Sequence, residues 1–371
     1  MAELSFSRRL RATPFTKRVL EIGVSSLTVY NHTIMATSVR GLAEDYHHLK
    51  KHVQIWDVGG ERQVEIRGKD AAWLTQYLTP RDLSRAEVGQ CLYAPLVDEH
   101  GGIVNDPVIL KLAEDRFWLS LASGDALLWV KGLAVGMGLD VQASEPAVTP
   151  LAIQGPKSDN LMRKVFGDEV TKLRFFRFDY FTLGDYRFLI AKSGWSKQGG
   201  YEVYVDDTKA GEFLFETLWQ AGQEFHVHTG CPNLIERIEG GLLSFGNDMT
   251  LDNTPFEAGL DQFCNWKEDT EFLARPALEA MRAAGKPKQR MTGMQFPSDH
   301  CPPCTEAWPV FHQGKNIGIV TSAAYSPDFG CTVALGILDI DYTEEGSTIS
   351  VQTPEGIVDG ISVPLPMKAP A

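Results

Sequence analysis

The sequence RIEGGLLSFGND at residues 237–248 sets charged side chains among glycines and apolar residues. The pattern over Asn233–Leu243 is typical of a helix. Glu239 lies in this predicted helix among small and apolar neighbours, so we expect its carboxylate to be buried. A buried carboxylate needs a partner, because an isolated charge is costly to remove from water. A salt bridge to Arg237 is the structural explanation for Glu239, and a bound ligand is the functional one.

The chain around this stretch has the pattern of an α+β protein with more than one domain. Its 371 residues exceed the size at which one hydrophobic core usually keeps growing. Helical and extended patterns alternate up to residues 286–288, Lys-Pro-Lys, which form a predicted linker. Short extended runs broken by Gly and Pro follow, and this pattern is typical of a small antiparallel barrel or sandwich. The sequence therefore predicts a C-terminal β-barrel.

Two local features give predictions that a structure can test. The extended runs Tyr93–Val97 and Ile103–Leu112 flank the turn residues 98–102, which indicates a hairpin. Ser158 stands at the start of a helical pattern that extends to Phe166. We therefore predict Ser158 as the N-cap of that helix.

Composition excludes several classes of partner. The formal net charge is −13 and no basic stripe occurs, so we expect no nucleic acid partner. The longest apolar stretch, Ala126–Leu139, contains Lys131 and is too short to span a bilayer. Six cysteines spread over the chain do not form a secreted disulfide framework. With no targeting signal recognised, we expect a cytoplasmic protein that does not bind membranes.

The motifs of common cofactors are missing from the sequence. Neither a GxGxxG fingerprint nor a P-loop occurs, which argues against NAD, FAD and ATP. Cys301 and Cys304 form a lone CxxC pair, and a structural zinc site needs two further ligands. His48 and His52 are one helical turn apart but lack the Glu of a zincin motif. We expect no metal, no flavin and no NAD.

Four segments occur in order along the chain and together cover most of it. They are GGIVND (101–106), LAIQGP (151–156), RIEGGLLSFGND (237–248) and GIVTSAAYSP (318–327). Together they resemble the folate-dependent aminomethyltransferase family, whose founding member is the T-protein of the glycine cleavage system. The resemblance implies an enzyme that transfers a one-carbon group to tetrahydrofolate.

The resemblance also implies an architecture of three domains arranged as a ring around a central folate channel. The first, folate-binding domain would comprise residues 1–52 and 145–275. The second domain, residues 53–144, would be inserted into the first. Residues 286–371 would form the C-terminal antiparallel β-barrel.

Further segments resemble a branch of the family that demethylates the sulfonium compound dimethylsulfoniopropionate. The segment SGWSKQGGYE at 193–202 is one of them, and the T-protein has Tyr where Trp195 stands and lacks Lys197. Two segments depart from that branch. Thr33–Ala36 reads TIMA where the branch tends to read Met-Leu-Leu-Pro, and Gly59–Gly60 replaces bulkier residues. Both departures lie near the expected substrate end.

The resemblance assigns tetrahydrofolate to three residues. Glu239 would accept adjacent N–H groups of the reduced pterin in short, charge-assisted hydrogen bonds. Asp106 and Tyr93 would also contact the pterin, and we predict both as catalytic residues. A carboxylate at Asp106 would stabilise positive charge that develops on the reacting nitrogen. A turn-capping role beside Asn105 is the alternative for Asp106.

The methyl donor is assigned to aromatic residues and one lysine. A sulfonium or quaternary ammonium has no hydrogen to donate, so aromatic faces hold it best, at roughly 0.5–2 kcal/mol each. Trp195, Tyr204 and Tyr30, with Tyr93, form the predicted cage, and ordinary core packing is the alternative for each ring. Lys197 would pair with the donor carboxylate, and a solvated loop lysine is its alternative.

The sequence thus predicts methyl transfer from dimethylsulfoniopropionate to N5 of tetrahydrofolate, giving methylthiopropionate and 5-methyltetrahydrofolate. The partners would be small molecules, with a homodimer compatible with the sequence. Alternatives are demethylation of a related onium compound such as glycine betaine, glycine-cleavage aminomethyl transfer, and non-catalytic folate binding. Trp195 and Lys197 argue against aminomethyl transfer. Retention of Asp106, Tyr93 and Glu239 argues against a non-catalytic protein.

Overall fold

The computed structural model describes residues 7–122, 125–267 and 269–368. These residues form two compact units. The first unit consists of the described residues of Met1–Lys69, Ala86–Leu92 and Val108–Asn233, and the second of those of Asp70–Arg85, Tyr93–Pro107 and Leu234–Ala371.

Helices and strands are mixed along the whole chain. The α-helices of the described residues are α1 (Thr16–Ile22), α2 (Leu42–Leu49), α3 (Ala71–Tyr77), α4 (Ala126–Gly136), α5 (Ser158–Phe166), α6 (Thr208–Gly222), α7 (Leu234–Gly240) and α8 (Arg275–Ala284). Within the described ranges, no helix combines the length and the hydropathy needed to cross a membrane.

The strands divide between an N-terminal group and a C-terminal group. Those before residue 240 are β1 (Ser26–Tyr30), β2 (Thr33–Ser38), β3 (Gln54–Asp57), β4 (Arg62–Arg67), β5 (Cys91–Tyr93), β6 (Leu96–Val97), β7 (Ile103–Asn105), β8 (Val108–Ala113), β9 (Arg116–Leu121), β10 (Gln142–Ser144), β11 (Thr149–Gln154), β12 (Phe178–Leu183), β13 (Tyr186–Ala191), β14 (Gly200–Val205) and β15 (His228–Gly230). The C-terminal strands are β16 (Gln289–Phe296), β17 (Trp308–His312), β18 (Lys315–Ser326), β19 (Cys331–Asp339), β20 (Thr348–Thr353) and β21 (Gly356–Val363).

A six-stranded sheet organises the first unit. Its order is β12-β13-β14-β11-β3-β15, antiparallel except for the parallel pair β3–β15. On one face, Ile55, Ile153 and Val203 of the sheet share a buried core with Leu161 of α5 and Leu214 of α6. Alternate residues of a strand point to the same face, so these strands present one apolar side to the helices.

Strand β14 distributes its side chains between two cores. Tyr201 and Val203 belong to the core beside α5 and α6. Tyr204 instead joins Leu110 and Trp118 of a second sheet, whose order is β10-β4-β9-β8-β5. Glu202 is two residues before Tyr204, so its side chain lies on the same face of the sheet as Tyr204. The six-stranded sheet is therefore covered on both faces, and its second face carries a buried carboxyl and a buried phenol.

The second unit is built on a closed barrel of order β16-β19-β18-β17-β20-β21. Its interior is filled by apolar side chains such as Met294, Val310 and Leu338. Helix α7 packs against β18 and β19 of the same unit. A short hairpin, β6–β7, pairs Leu96 with Asn105 and leads directly into Asp106.

The α+β class, the antiparallel barrel and the hairpin at residues 96–105 are confirmed. Two local predictions are wrong. Helix α7 ends at Gly240 rather than Leu243, because Gly241 adopts a left-handed φ of +66° that ends a helix. Ser158 is the first helical residue of α5 rather than its cap: its N–H bonds the Gly155 carbonyl at 3.0 Å, and no side chain caps the helix. The division into three domains stays a prediction.

Candidate active site

Tyr93 and Asp106 lie together in the second unit. The Tyr93 hydroxyl donates to Asp106 Oδ2 at 2.9 Å. Burial raises the pKa of Asp106 to about 7 and the charge of Asp248 adds to the rise, while the hydrogen bond from Tyr93 opposes it. The Tyr93 ring meets the edge of Phe263, with centroids 5.2 Å apart. Asp106 is therefore an acid that changes charge near neutral pH.

Asn105 fixes the backbone beside this acid. Its Oδ1 accepts the Asp106 N–H at 3.0 Å. The Asp106 carboxylate accepts hydrogen bonds from the Tyr93 hydroxyl and from its own backbone N–H.

Glu239 is buried on α7, as expected, and has a partner from the barrel. The residue is 8% exposed, and Ser326 of β18 donates its hydroxyl to Glu239 Oε1 at 2.6 Å. Ser326 is completely buried and also accepts the Phe329 N–H at 3.2 Å. Because Ser326 sits in a barrel strand, its hydroxyl fixes the orientation of the Glu239 carboxylate.

Arg237, the salt-bridge partner considered for Glu239, forms a buried ion pair with Asp248. Arg237 Nη1 lies 2.5 Å from Asp248 Oδ2, and their side chains are 4% and 0% exposed. Asp248 Oδ1 accepts the hydroxyls of Thr321 and Ser322, each at 2.7 Å. Asp248 Oδ2 also accepts the Ser244 N–H at 2.9 Å. This network joins α7 and the following turn to β18.

The loop that carries Trp195 and Lys197 is anchored by Gln154 of β11, in the first unit. Gln154 Nε2 donates to the Ser193 carbonyl at 3.1 Å, and Gln154 Oε1 accepts the Ser196 hydroxyl at 2.7 Å. Trp195 is half-buried and Lys197 is exposed. Sequence reasoning gave Gln154 no role, although its motif was singled out. These hydrogen bonds fix the conformation of the loop that carries Trp195.

Tyr204 is buried, 4% exposed, and its ring lies 5.7 Å from that of Trp118. Trp118 donates its indole N–H to Glu65 at 2.8 Å. Both rings line a cavity of about 360 Å³ in the first unit, with Leu189 among its other walls. The pairing of Tyr204 with Trp195 stays a prediction.

Tyr30 ends β1 beside the two segments that depart from the expected pattern. A side chain at Gly60 would place its Cβ 2.1 Å from Met35 Sδ and 3.0 Å from Tyr30 Cδ1. Asn31 donates its amide to the Gly60 carbonyl at 3.1 Å. The two departures therefore contact each other, and Met35 occupies the space that a larger residue at position 60 would need.

Because the Arg237–Asp248 pair is buried, we predict that neutralising Asp248 strongly destabilises the fold. We expect Asp248→Asn to lower the free energy of unfolding by about 3–5 kcal/mol, because it removes one charge from a buried ion pair and disturbs the hydrogen bonds that Asp248 accepts. Asp261→Asn is the matched control, since Asp261 pairs with Arg290 at 2.7 Å where their side chains are 44% and 36% exposed. That control should cost about 1 kcal/mol or less. Urea unfolding of both variants makes the comparison, and equal losses would contradict it.

Comparison with known proteins places this geometry in a family. The chain matches the family model described as the GCVT N-terminal domain over residues 15–268 and the glycine cleavage T-protein C-terminal barrel domain over residues 289–367. A dimethylsulfoniopropionate demethylase of Ruegeria pomeroyi is 46% identical over 96% of this chain and 97% of its own length. An aminomethyltransferase of Alkaliphilus metalliredigens is 29% identical over 85% of this chain and 86% of its own.

The fold agrees with these matches. The crystal structure of glycine cleavage system aminomethyltransferase T from Bartonella henselae superimposes with a TM-score of 0.83, covering 96% of this chain and 98% of that one at 24% identity. This likeness confirms the aminomethyltransferase fold expected from the four sequence segments. The chain belongs to the glycine cleavage T-protein (GCVT) family.

Proposed function

We propose that the chain transfers a methyl group from dimethylsulfoniopropionate to N5 of tetrahydrofolate, giving methylthiopropionate and 5-methyltetrahydrofolate. The observation that carries the proposal is the similarity to a dimethylsulfoniopropionate demethylase over nearly the whole chain. Aminomethyltransferases match it at lower identity.

The acids of the second unit suit a reduced pterin. Glu239 and Asp106 are acceptors whose orientation is fixed by the hydroxyls of Ser326 and Tyr93. A reduced pterin presents several N–H donors, so two fixed carboxylates are complementary to it. When bound, tetrahydrofolate supplies the nucleophilic nitrogen that receives the methyl group.

Asp106 has the electrostatic role in this proposal. A fixed carboxylate stabilises positive charge that develops on a nearby nitrogen, and it does so best where water is excluded. Tyr93 orients this carboxylate and favours its ionised form. No stronger base is needed, because a methyl group on sulfur already has a neutral thioether as its leaving group.

Aromatic side chains would hold the donor. Trp195, Tyr204 and Tyr30 offer faces to its sulfonium, and the exposed Lys197 can reach a carboxylate from solvent. Aligning two reactants can itself supply roughly 7–11 kcal/mol of the barrier. The chemistry asks for no metal, flavin or NAD, and we assign it to the cytoplasm. A homodimer stays a prediction.

The first test is a direct assay of the product. Purified protein with tetrahydrofolate and dimethylsulfoniopropionate should produce 5-methyltetrahydrofolate, detected by mass spectrometry, and glycine betaine should produce far less. Glu239→Gln is the control, and it should lose folate affinity by about 1–3 kcal/mol, since a donor replaces an acceptor. Methylene-tetrahydrofolate made from an aminomethyl-lipoyl carrier would instead establish an aminomethyltransferase, and product from glycine betaine alone would change the substrate.

The second test uses the pKa of Asp106. That pKa is raised to about 7, so the carboxyl is protonated below neutrality and cannot stabilise positive charge there. We expect kcat/KM to rise with pH through about 7. Tyr93→Phe should move the rise to higher pH, because the lost hydrogen bond favoured the ionised form, and Tyr342→Phe in the barrel should not. A profile that Tyr93→Phe leaves in place would remove Asp106 from this role.

The third test concerns the ring of Trp195. Trp195→Phe should retain part of the donor affinity and Trp195→Leu should lose more, because phenyl has a weaker cation-binding face than indole and an aliphatic chain has none. Calorimetry of donor and folate binding, with melting temperatures, distinguishes this from packing, which predicts loss of stability in both variants. Equal donor affinity of the two variants at unchanged stability would refute the cage.

A further inference from the structure

Strand β1 of the first unit lies at the edge of a small sheet. It pairs antiparallel with β2 through a two-residue turn, in which Asn31 and His32 have φ values of +49° and +63°. Left-handed φ values at both positions are typical of a type I′ turn. Among the residues that the structure describes, β2 is the one strand that pairs with β1. The other edge of β1 therefore has no strand beside it in the described chain.

The register of this hairpin shows which backbone groups face the open edge. A two-residue turn places its flanking residues, Tyr30 and Thr33, in a hydrogen-bonded pair. Such pairs alternate with non-hydrogen-bonded ones, so Thr28 is the next residue of β1 to bond β2. Leu27 and Val29 therefore direct their N–H and C=O groups away from β2. The irregularity in the register lies before Leu27, which leaves the rest of the strand regular.

The side chains of the same two residues are exposed and apolar. Leu27 is 40% exposed and Val29 is 41% exposed, and alternation places both on one face of the strand. The sequence from Gly23 to Asn31 contains no charged residue and no proline. Natural proteins usually protect an open edge with such residues, because an open edge can pair with another chain. Strand β1 therefore has the composition of an edge that pairs.

The strand is also complementary to itself. When two β1 strands lie antiparallel with Thr28 opposite Thr28, Leu27 of each copy lies opposite Val29 of the other. Both outward-facing residues of each copy then form hydrogen-bonded pairs. A register shifted by two residues leaves Val29 opposite Ser25, or Leu27 opposite Asn31, beyond the ends of β1. One register therefore uses the whole edge.

We propose that β1 is a dimerisation edge, at which two copies of the chain pair their β1 strands antiparallel across a two-fold axis between the Thr28 residues. The pairing joins the two hairpins into one sheet of order β2-β1-β1-β2. It satisfies the outward backbone groups of Leu27 and Val29 and brings their side chains together as cross-strand apolar pairs. The inference goes beyond the proposed function, because it concerns assembly and does not depend on the substrate.

Closure, area and charge determine the kind of assembly that this edge gives. Each copy offers one such edge and the pairing uses it completely, so assembly ends at a dimer. A strand of five residues buries less than the roughly 1,200–2,000 Å² of a stable interface, so we expect dissociation on dilution. The formal net charge of −13 on each chain opposes association at low ionic strength. Salt should therefore strengthen the dimer, whereas it would weaken an interface held by ion pairs.

A cysteine at the two-fold axis tests the register directly. In the proposed dimer the two Thr28 residues form a non-hydrogen-bonded pair with Cα atoms roughly 4.5 Å apart, which a disulfide can span. Thr28→Cys should therefore give a covalent dimer with oxidised glutathione. Ser26→Cys, on the same exposed face, is the matched control. Its two thiols would be roughly 13 Å apart along the strands, so it should give no covalent dimer.

The position of the link must be established, because the chain has thiols of its own. Cys301, Cys304 and Cys331 are half-buried and free, and the wild type treated in the same way reports any link through them. Peptide mapping by mass spectrometry identifies the residues that are joined. A dimer joined through position 28 supports the register. Links through the native cysteines alone, or an equal yield of covalent dimer from Ser26→Cys, would contradict it.

Sedimentation measures the association without a covalent link. The wild type should change from monomer to dimer as its concentration rises, and Leu27→Lys should raise Kd about tenfold or more, because a charge on an open edge opposes pairing. Its melting temperature should stay that of the wild-type monomer, since Leu27 is exposed. Leu128→Lys on α4 is the matched control, because Leu128 is 71% exposed on another surface, and it should retain the wild-type Kd.

Three results would overturn the inference. They are a wild type that stays monomeric at every concentration, assemblies larger than a dimer, and a dimer that Leu27→Lys leaves intact. None of these readouts uses folate or a methyl donor. A chain that dimerises as described but makes no 5-methyltetrahydrofolate would refute the proposed function alone, and an active chain that stays monomeric would refute the dimer alone.

Discussion

The buried ion pair between Arg237 and Asp248 is the interaction on which the second unit depends. Removing two charges from water is costly unless every remaining donor and acceptor is satisfied. Here the hydroxyls of Thr321 and Ser322 and the Ser244 N–H complete the environment of Asp248. The pair therefore holds only when α7, the turn after it and β18 are in one register. That register is also what brings the Ser326 hydroxyl to Glu239, two residues beyond Arg237 on the same short helix.

The same pair also affects the electrostatics of the site. Burial is the main cause of the raised pKa of Asp106; the hydrogen bond from Tyr93 lowers that pKa, and the charge of Asp248 raises it slightly further. An acid with a pKa of about 7 is poised between two charge states at physiological pH. Asp248 thus takes part in holding α7 on the barrel and also makes a minor contribution to the raised pKa of Asp106.

The sequence pattern was sufficient to predict structural features that depend on one short segment of the chain. The burial of Glu239, the hairpin before Asp106 and the barrel strands could be predicted from neighbouring residues. The ends of elements were less certain, as Gly241 showed when it ended α7. Strand β21 gives a weaker signal in the sequence than the other barrel strands, because its apolar residues Ile357 and Ile361 are exposed and Gly356, Asp359 and Gly360 interrupt them. The partner of Glu239, Ser326, is 87 residues away, so no local pattern could identify it.

Met35 and Gly60 illustrate a different limit of sequence reasoning. Taken separately, they are two departures near the expected substrate end. In the structure, Met35 Sδ fills the space that a side chain at Gly60 would require, and both residues contact the surroundings of Tyr30. Met35 and Gly60 are therefore parts of one packed contact beside Tyr30, which two positions 25 residues apart in the sequence do not reveal.

The proposed reaction moves one positive charge from the sulfur of the donor to the nitrogen of the acceptor. Near the proposed acceptor site, burial raises the pKa of the Asp106 carboxyl to about 7. A carboxyl of this kind gains most from ionising when a cation is present and is readily neutralised by a proton when the cation is gone. A permanently ionised acid would stabilise the positive charge that develops on the nitrogen but would be harder to neutralise once that nitrogen loses its proton. Burial that raises the pKa of Asp106 is thus suited to a site where positive charge is present for only part of each cycle.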